Sequence, residues 1–359
     1  MYRYTGYVTQ DLYVIVFSIL TDSRANIVIK GLFTLLLPLI LISACSHQSV
    51  LSIPEKANYF VANEHGKEIS SKELIQQLVN SDVIYLGEIH DNPDHHATQL
   101  DIIKKLIGAG KKPVIGFEFF SREQTSWLLS FTSKSKHSFR PLTEDKASEL
   151  LRHRLGWNQR EDWNFYYPFL ELAKKHDLQV FGADIHQGIR IRMARAGIDN
   201  MMSIEKNDLP SKVGEDSEEY KQLIYQELRE GHCNMASDEL VTKLYKTISL
   251  RNAYMAQSIH SMFDDQSQKQ KEPIVMILGR GHIDYDAGVK SQLQHLNPSI
   301  RQLNIGLYEN NKSTADDHIQ KITNPVHGLN RHNLYAITAD RSKKQVDHCA
   351  AFKKHKSGS

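Results

Sequence analysis

Four short apolar runs, each ending on a glycine-bearing or acidic turn, constrain this chain more than any other feature. They lie at 83–87, 114–117, 180–183 and 274–278. Each is apolar on consecutive residues rather than alternate ones, the pattern of a strand buried on both faces. Amphipathic stretches separate them, one of them near 163–176, and Asn92-Pro93 reads as the cap and first residue of another. Two further strands are expected at 301–307 and 334–338. This order predicts an α/β fold, a mainly parallel sheet covered by helices, with the domain spanning 68–340. The helical stretch 218–264 is too long for a simple crossover and predicts an inserted helical lobe, about 190–265, over one edge of the sheet.

The chemistry sits immediately after these strands. The first runs into Gly87-Glu88-Ile89-His90 and then Asp91, His95 and His96; the second ends in Glu118. The third runs into Asp184-Ile185-His186 and the fourth into Gly279-Arg280-Gly281-His282. In an open parallel sheet the carboxyl ends of the strands line one crevice, where ligands bind. One at a time these residues have structural explanations. Asp91, Asn92, His95 and His96 could cap a helix start, Glu118 could pair with Arg122, and His282 could be a hydrogen-bonded histidine on a glycine turn. Repetition at four strand ends favours a site. The two Gly-x-x-His segments turn the chain sharply and let His90 and His282 point back over the strand ends. With Glu88 and Glu118 they form a reasonable ligand set for a divalent transition metal such as Mn²⁺, or a set in which a glutamate is general base toward water.

The ends of the chain speak to location. Residues 31–44 form a short apolar run behind Lys30 and close on Ile42-Ser43-Ala44-Cys45. Positive charge, apolar run and small residues follow the order of a secretory signal. The run falls short of the roughly 20 apolar residues of a membrane-spanning helix. Its last four residues resemble the bacterial lipobox, whose Cys receives the lipid and becomes the new N-terminus. Residues 1–44 are therefore expected to be a signal region, 45–67 a lipidated tether and 341–359 a basic tail. Ser46 after the Cys favours the outer membrane, with the domain in the periplasm. Residues 1–27, with Asp11 and Asp22, fit no secretory n-region, and the translation start is expected near Val28. With Cys45 lipidated, Cys233 and Cys349 remain, either as a disulfide or as two separate thiols. A net charge of +2 argues against a dedicated nucleic-acid binder.

The segments 87–96 and 116–124, Trp163 with Tyr166 and Pro168, Arg251-Asn252-Ala253-Tyr254, and 279–282 resemble the ChaN lipoproteins, the haem-binding uptake branch of the Tiki superfamily. The resemblance runs in order from about residue 70 to the Cys349 region. It implies an exported, lipid-anchored protein of iron acquisition that binds haem through a tyrosine, with an outer-membrane haem or iron receptor as partner and haem-bound subunits associating in pairs. Tyr166 holds the position of the family's Trp-x-x-Tyr-x-Pro tyrosine and is the first candidate iron ligand, with Tyr167 next. Both are read as standing just ahead of a helix that begins at Pro168. His95, His96 and His186 are further candidates for contact with the cofactor. One departure is clear. Many members carry Asn-x-Pro-Arg after the third strand; this chain has Asp184-Ile185-His186-Gln187, with Arg190 and Arg192 following.

Three functions fit these residues: haem binding without turnover, a Tiki-like metal-dependent hydrolase or peptidase using Glu88, His90, Glu118 and His282, and a surface-interaction lipoprotein in which the strand-end residues form a structural network. The first is preferred.

Overall fold

The computed structural model describes residues 53–133, 142–158, 160, 162–207, 209–264, 272–310, 315–339 and 349. The expected lipid site, signal region and most of the basic tail lie outside them. Among the described residues, eight strands form one sheet: β1 Tyr59–Asn63, β2 Glu68–Ile69, β3 Val83–Glu88, β4 Val114–Ser121, β5 Val180–Asp184, β6 Ile274–Gly279, β7 Gln302–Glu309 and β8 Leu334–Thr338. Their order is β2-β1-β8-β7-β3-β6-β4-β5. The six strands from β8 to β5 run parallel, and β1 closes the far side antiparallel to β8. The expected α/β fold is the one found. Residues 59–63, expected to belong to a tether reaching 67, instead form β1. Val61 and Ala62 are buried and the strand pairs along its whole length with β8.

Alternation along the strands sorts their side chains between two layers. Ile84, Leu86, Ile115, Phe117, Val275 and Ile277 enter one core, and Val83, Tyr85, Val114, Ile274, Met276 and Leu278 the other. Helices α1 Ser71–Val79, α2 Pro93–Gly108, α3 Thr125–Thr132, α4 Glu144–Arg154 and α5 Trp163–His176 cover the first face. Local chemistry starts two of them. Ser70 and Glu73 cap each other's backbone at α1. At α2, Asn92 accepts from the amides of Asp94 and His95 ahead of Pro93. Helix α5 begins at Trp163, so Pro168 lies inside it rather than opening it, and Tyr166 and Tyr167 are helical residues.

The lobe comprises α6 Gln187–Ala196, α7 Ser203–Lys206, α8 Glu218–Gly231 and α9 Asp238–Asp264. The stretch expected to be helical over 218–264 is two helices. It breaks where Cys233 and Asn234 both adopt left-handed backbone (φ 57° each), and the Asn234 amide turns back to the Arg229 carbonyl at 2.7 Å. Helix α9 then packs Met255, Ala256, Ile259 and Phe263 on the second face, beside α10 Val289–Leu296. A last helix, α11 Ala315–Thr323, precedes β8. Among the described residues no helix is long and apolar enough to cross a membrane.

Cys233 is bonded to Cys349, 116 residues away, so the break in the lobe is tied to the segment after β8. A loop of that size is costly to close in an unlinked chain. Replacing Cys349 by Ser is therefore expected to lower the unfolding free energy by roughly 2–4 kcal/mol. Urea unfolding followed by circular dichroism measures this, and an unchanged midpoint would show that the link does not stabilise the native state.

Candidate functional site at the strand ends

The sheet has its switch point between β3 and β6. Helix α2 carries the chain from β3 over one face to β4, and α10 carries it from β6 over the other face to β7. Where crossovers diverge in this way a crevice opens at the carboxyl ends. Glu88 and Gly279 stand opposite each other there, in register. The two Gly-x-x-His turns make room for each other. A Cβ on Gly87 would lie 3.0 Å from the Arg280 Cα and 2.7 Å from Ile283 Cδ1; one on Gly279 would lie 2.7 Å from His90 Cε1.

Glu88 is wholly buried and collects three partners. Tyr166 donates its hydroxyl to Oε1 at 2.6 Å, His90 donates Nδ1–H to the same oxygen at 3.2 Å, and His96 Nδ1 stands 3.1 Å from Oε2. His96 also donates Nε2–H to the His90 carbonyl at 2.9 Å. Burial opposes ionisation of Glu88, but His96 and His90 outweigh it and hold the carboxyl down to about 2.

Glu118 forms the second centre. Burial again opposes its charge, while His282, Arg251 and His90 hold it well below the usual carboxylate range. His282 Nε2 lies 3.0 Å from Oε1, Arg251 Nη2 2.8 Å from the same oxygen, and the Gly279 amide donates to Oε2 at 2.7 Å. His282 is oriented from behind, its Nδ1–H donating to Asn252 Oδ1 at 2.6 Å. Arg251 reaches on to Asp184, with Nη2 at 2.6 Å, and Arg190 joins the same carboxylate at 3.2 Å. The pairing of Glu118 with Arg122 expected from sequence is not formed. Arg122 points outward and donates to Ser261 Oγ at 3.4 Å, because Glu118 faces the crevice and is already engaged by Arg251.

Glu88, His90, His96, Glu118 and His282 therefore come together, and Asp184 with them. The other candidates do not join as expected. Tyr166 is fully buried, with Phe119 stacked on it at 4.4 Å and its oxygen turned to Glu88. Burial and then Glu88 push its phenol well above 10, the opposite of what a phenolate ligand needs. Tyr166 was expected just ahead of a helix beginning at Pro168; α5 instead starts three residues before it, at Trp163, and Tyr166 faces the core. Tyr167 lies on another side of α5, its hydroxyl donating to Glu144. His95 is buried and braces the first turn, its Nδ1 accepting from the Ile89 amide at 2.9 Å. His186 is exposed and caps α6 by accepting from the Gly188 amide. Arg192 pairs with Glu205. Among the described residues no group of three or more His, Cys, Asp or Glu side chains is arranged to hold a metal ion, so the expected Glu88–His90–Glu118–His282 ligand set is not assembled as one. Their atoms are shared instead with Tyr166, Arg251 and Asn252. The last two were noted in the sequence only as motif letters; their signal is an adjacent Arg-Asn pair within an otherwise core-forming helix.

The site has an acid-sensitive signature. Burial, then Arg280 and His96, keep the His95 imidazole well below 6.5, so its stabilising effect is present above about 6.5 and is lost as pH falls below that value. Glu88 and Glu118 are depressed below 4.5, so their contribution is present above about 4.5 and is lost as pH falls toward 2. Urea midpoints are expected to fall in two steps on acidification from pH 7.5, first below about 6.5 and again below about 4.5. A midpoint flat from pH 7 to 5 would remove the His95 assignment.

Comparison with known proteins places this arrangement. A solved structure described as cofacial haem binding to ChaN of Campylobacter jejuni superposes with a TM-score of 0.57 at 16% identity, covering 80% of this chain and 99% of that one. An erythromycin esterase mutant, EreC, in its open conformation (TM-score 0.41, 10% identity, 81% and 100% covered) and the type III effector HopBA1 (0.40, 12%, 81% and 100%) are more distant in shape. No curated protein matches the sequence. The family model for haem-binding uptake proteins of the Tiki superfamily, ChaN, matches residues 74–293, more than half of the chain and the ends of β3, β4, β5 and β6. The chain belongs to the ChaN haem-binding uptake family of the Tiki superfamily.

Proposed function

We propose that this protein binds haem at the strand-end crevice in the course of iron acquisition, without turnover, and that it does so in the periplasm while a lipid on Cys45 holds it to the outer membrane. Family membership carries the reading, because the matched residues include the whole crevice. Haem presents an apolar face around its iron, so the fitting protein surface is an axial donor beside an aromatic ring. His90 and Phe119 make such a pair. Both are partly exposed, with their rings edge to face at 4.8 Å. The His90 side chain is 19% exposed, against 11% for His282 and none for His96 or Glu88. Glu88 orients His90 through Nδ1, as carboxylates orient metal-binding imidazoles. When bound, the haem iron would offer a coordination position to His90; the chain also supplies Phe119, and beside them Arg190 and Arg251 are paired with Asp184 and Glu118. In this reading His90 replaces Tyr166 as the iron ligand, with Tyr166 a support for Glu88. Two haem-loaded copies would pair face to face, and an outer-membrane receptor would be the source of the haem.

A second reading, metal-dependent hydrolysis, draws on the paired carboxylate–imidazole contacts Glu88–His90 and Glu118–His282. Elemental analysis with a peptidase assay of wild type and His282→Ala separates the two.

Hemin titrated into the mature protein, followed by absorbance, is expected to give a saturable Soret shift. His90→Ala is expected to weaken binding about tenfold or more, roughly 1.4 kcal/mol, while Tyr166→Phe stays within about twofold of wild type. No Soret shift would end the haem reading; loss of the shift in Tyr166→Phe with retention in His90→Ala would return the ligand to the tyrosine.

A further inference from the structure

A second polar centre lies beyond the Gly279–His282 turn. Leu303, Ile305 and Leu307 of β7 enter the first core, so Asn304, Gly306 and Tyr308 face the other side of the sheet. Asp284 meets them there. It is 1% exposed, and among the described residues neither of its oxygens has a hydrogen-bond partner. Its Oδ1 stands 3.1 Å from Nε2 of His332, which is equally buried. The Tyr308 hydroxyl stands 2.9 Å from the same nitrogen.

The imidazole is held in place by its other nitrogen. Nδ1 lies 2.9 Å from Asn304 Oδ1, and Asn304 is fixed in turn because its Nδ2 donates to the Ile283 carbonyl at 3.0 Å. His332 Nδ1–H is therefore the donor. Burial keeps the imidazole below its usual 6.5, so at neutral pH Nε2 carries a lone pair, with the Tyr308 hydroxyl and Asp284 Oδ1 beside it. Gly306 makes the room, since a Cβ there would lie 2.2 Å from His332 Cδ2. An imidazole locked through one nitrogen, with the other turned to anionic donors, is how proteins present histidine to a metal.

Spacing and charge both suit such an ion. Donors about 2.0–2.1 Å from one metal and at right angles to each other lie about 2.9 Å apart, and the two contacts of His332 Nε2 are 2.9 and 3.1 Å. Negative charge also collects here. On α8, half-buried Glu227 is pushed up to about 8 by burial and then by Asp284, with Arg280 acting against them. Buried Tyr220, whose hydroxyl has no hydrogen-bond partner among the described residues, is raised by burial and then by Asp216, Glu227 and Asp284. Arg280 lies over the Tyr308 ring at 3.7 Å and donates to the Leu307 carbonyl. A carboxylate as dry as Asp284, with no donor, is costly unless a cation meets it. Only Asp284 and His332 are of the acidic or imidazole type; the third donor is a phenol. Two hard oxygens that become anions, with one neutral imidazole, favour Fe³⁺ over softer divalent ions.

We infer that Asp284, His332 and Tyr308 form a site for a ferric ion, separate from the strand-end crevice. Binding forms Fe–O bonds to Asp284 and Tyr308 and an Fe–N bond to His332 Nε2; the phenol proton passes to solvent and no electron moves. Haem-free mature protein, stripped with a chelator, is titrated with ferric nitrilotriacetate and followed by visible absorbance, with iron analysis after desalting. One iron per chain and a phenolate-to-iron charge-transfer band are expected. Tyr308→Phe is expected to lose the band, and Asp284→Asn and His332→Ala to weaken binding about tenfold or more. The wild-type band and Tyr308→Phe, which keeps the ring beneath Arg280, decide the matter even where the other two variants do not fold. No bound iron, or iron without the band, would overturn the site. A band that survives in Tyr308→Phe, or disappears in Tyr166→Phe, would place the metal on another tyrosine and overturn it. Binding lost in His90→Ala would move the metal to the crevice, and displacement of Fe³⁺ by equal Zn²⁺ or Mn²⁺ would overturn the ferric assignment. Absence of a hemin Soret shift bears only on the haem reading.

Discussion

Two buried carboxylates govern the architecture around the crevice. Glu88 and Glu118 have almost no contact with water, and both remain ionised there. Desolvation of that order is tolerable only when partners surround the charge. The chain meets the demand from distant places: a tyrosine on α5, histidines on the turn after β3 and on α2, an arginine on α9, and the turn after β6. These elements are consequently fixed relative to one another by charge as well as by the apolar layers beneath them. Removing a cationic partner would leave an uncompensated buried charge, which costs more than the lost contact alone.

The glycines of the two Gly-x-x-His turns have a related role. Reading them in isolation suggests flexibility and close approach to a ligand. In the fold each glycine gives up its side-chain space to the opposite turn, Gly87 to Arg280 and Ile283, Gly279 to His90. The motif recurs because β3 and β6 are adjacent and in register, so their turns pack as a pair.

Much of this was legible in the sequence, and the omissions have physical causes. Strands β3 to β6 are apolar on both faces and bounded by turns, so their runs stand out. Strand β1 does not, since Tyr59–Asn63 is short, is flanked only by the two-residue β2 on its outer side, and buries only Val61 and Ala62. The division between α8 and α9 was passed over although Gly231, Asn234 and Ser237-Asp238-Glu239 mark a helix end and a new helix start, with Ser237 accepting from the Leu240 amide. The position of Tyr166 relative to the helix was misread through Pro168, which initiates helices often but sits inside the first turns of α5 here. That Glu88, Glu118, Asp184 and His282 converge followed from strand ends alone. Their partner Arg251 could not be assigned, because it meets carboxylates 67 and 133 positions away.

Sheet order also sets when the molecule can be completed. Strands β3 and β4 follow one another in the chain but never touch; β6, which begins only at Ile274, lies between them. Strand β3 is flanked on its other side by β7, later still. Everything up to the lobe can form helices and the β4–β5 pair, yet β3 has no neighbour until the last third of the chain is available. Closure of long loops must precede the reward of pairing, so the nascent N-terminal half stays open and assembly is a late, slow event. Such a chain becomes compact only once its final strands have arrived.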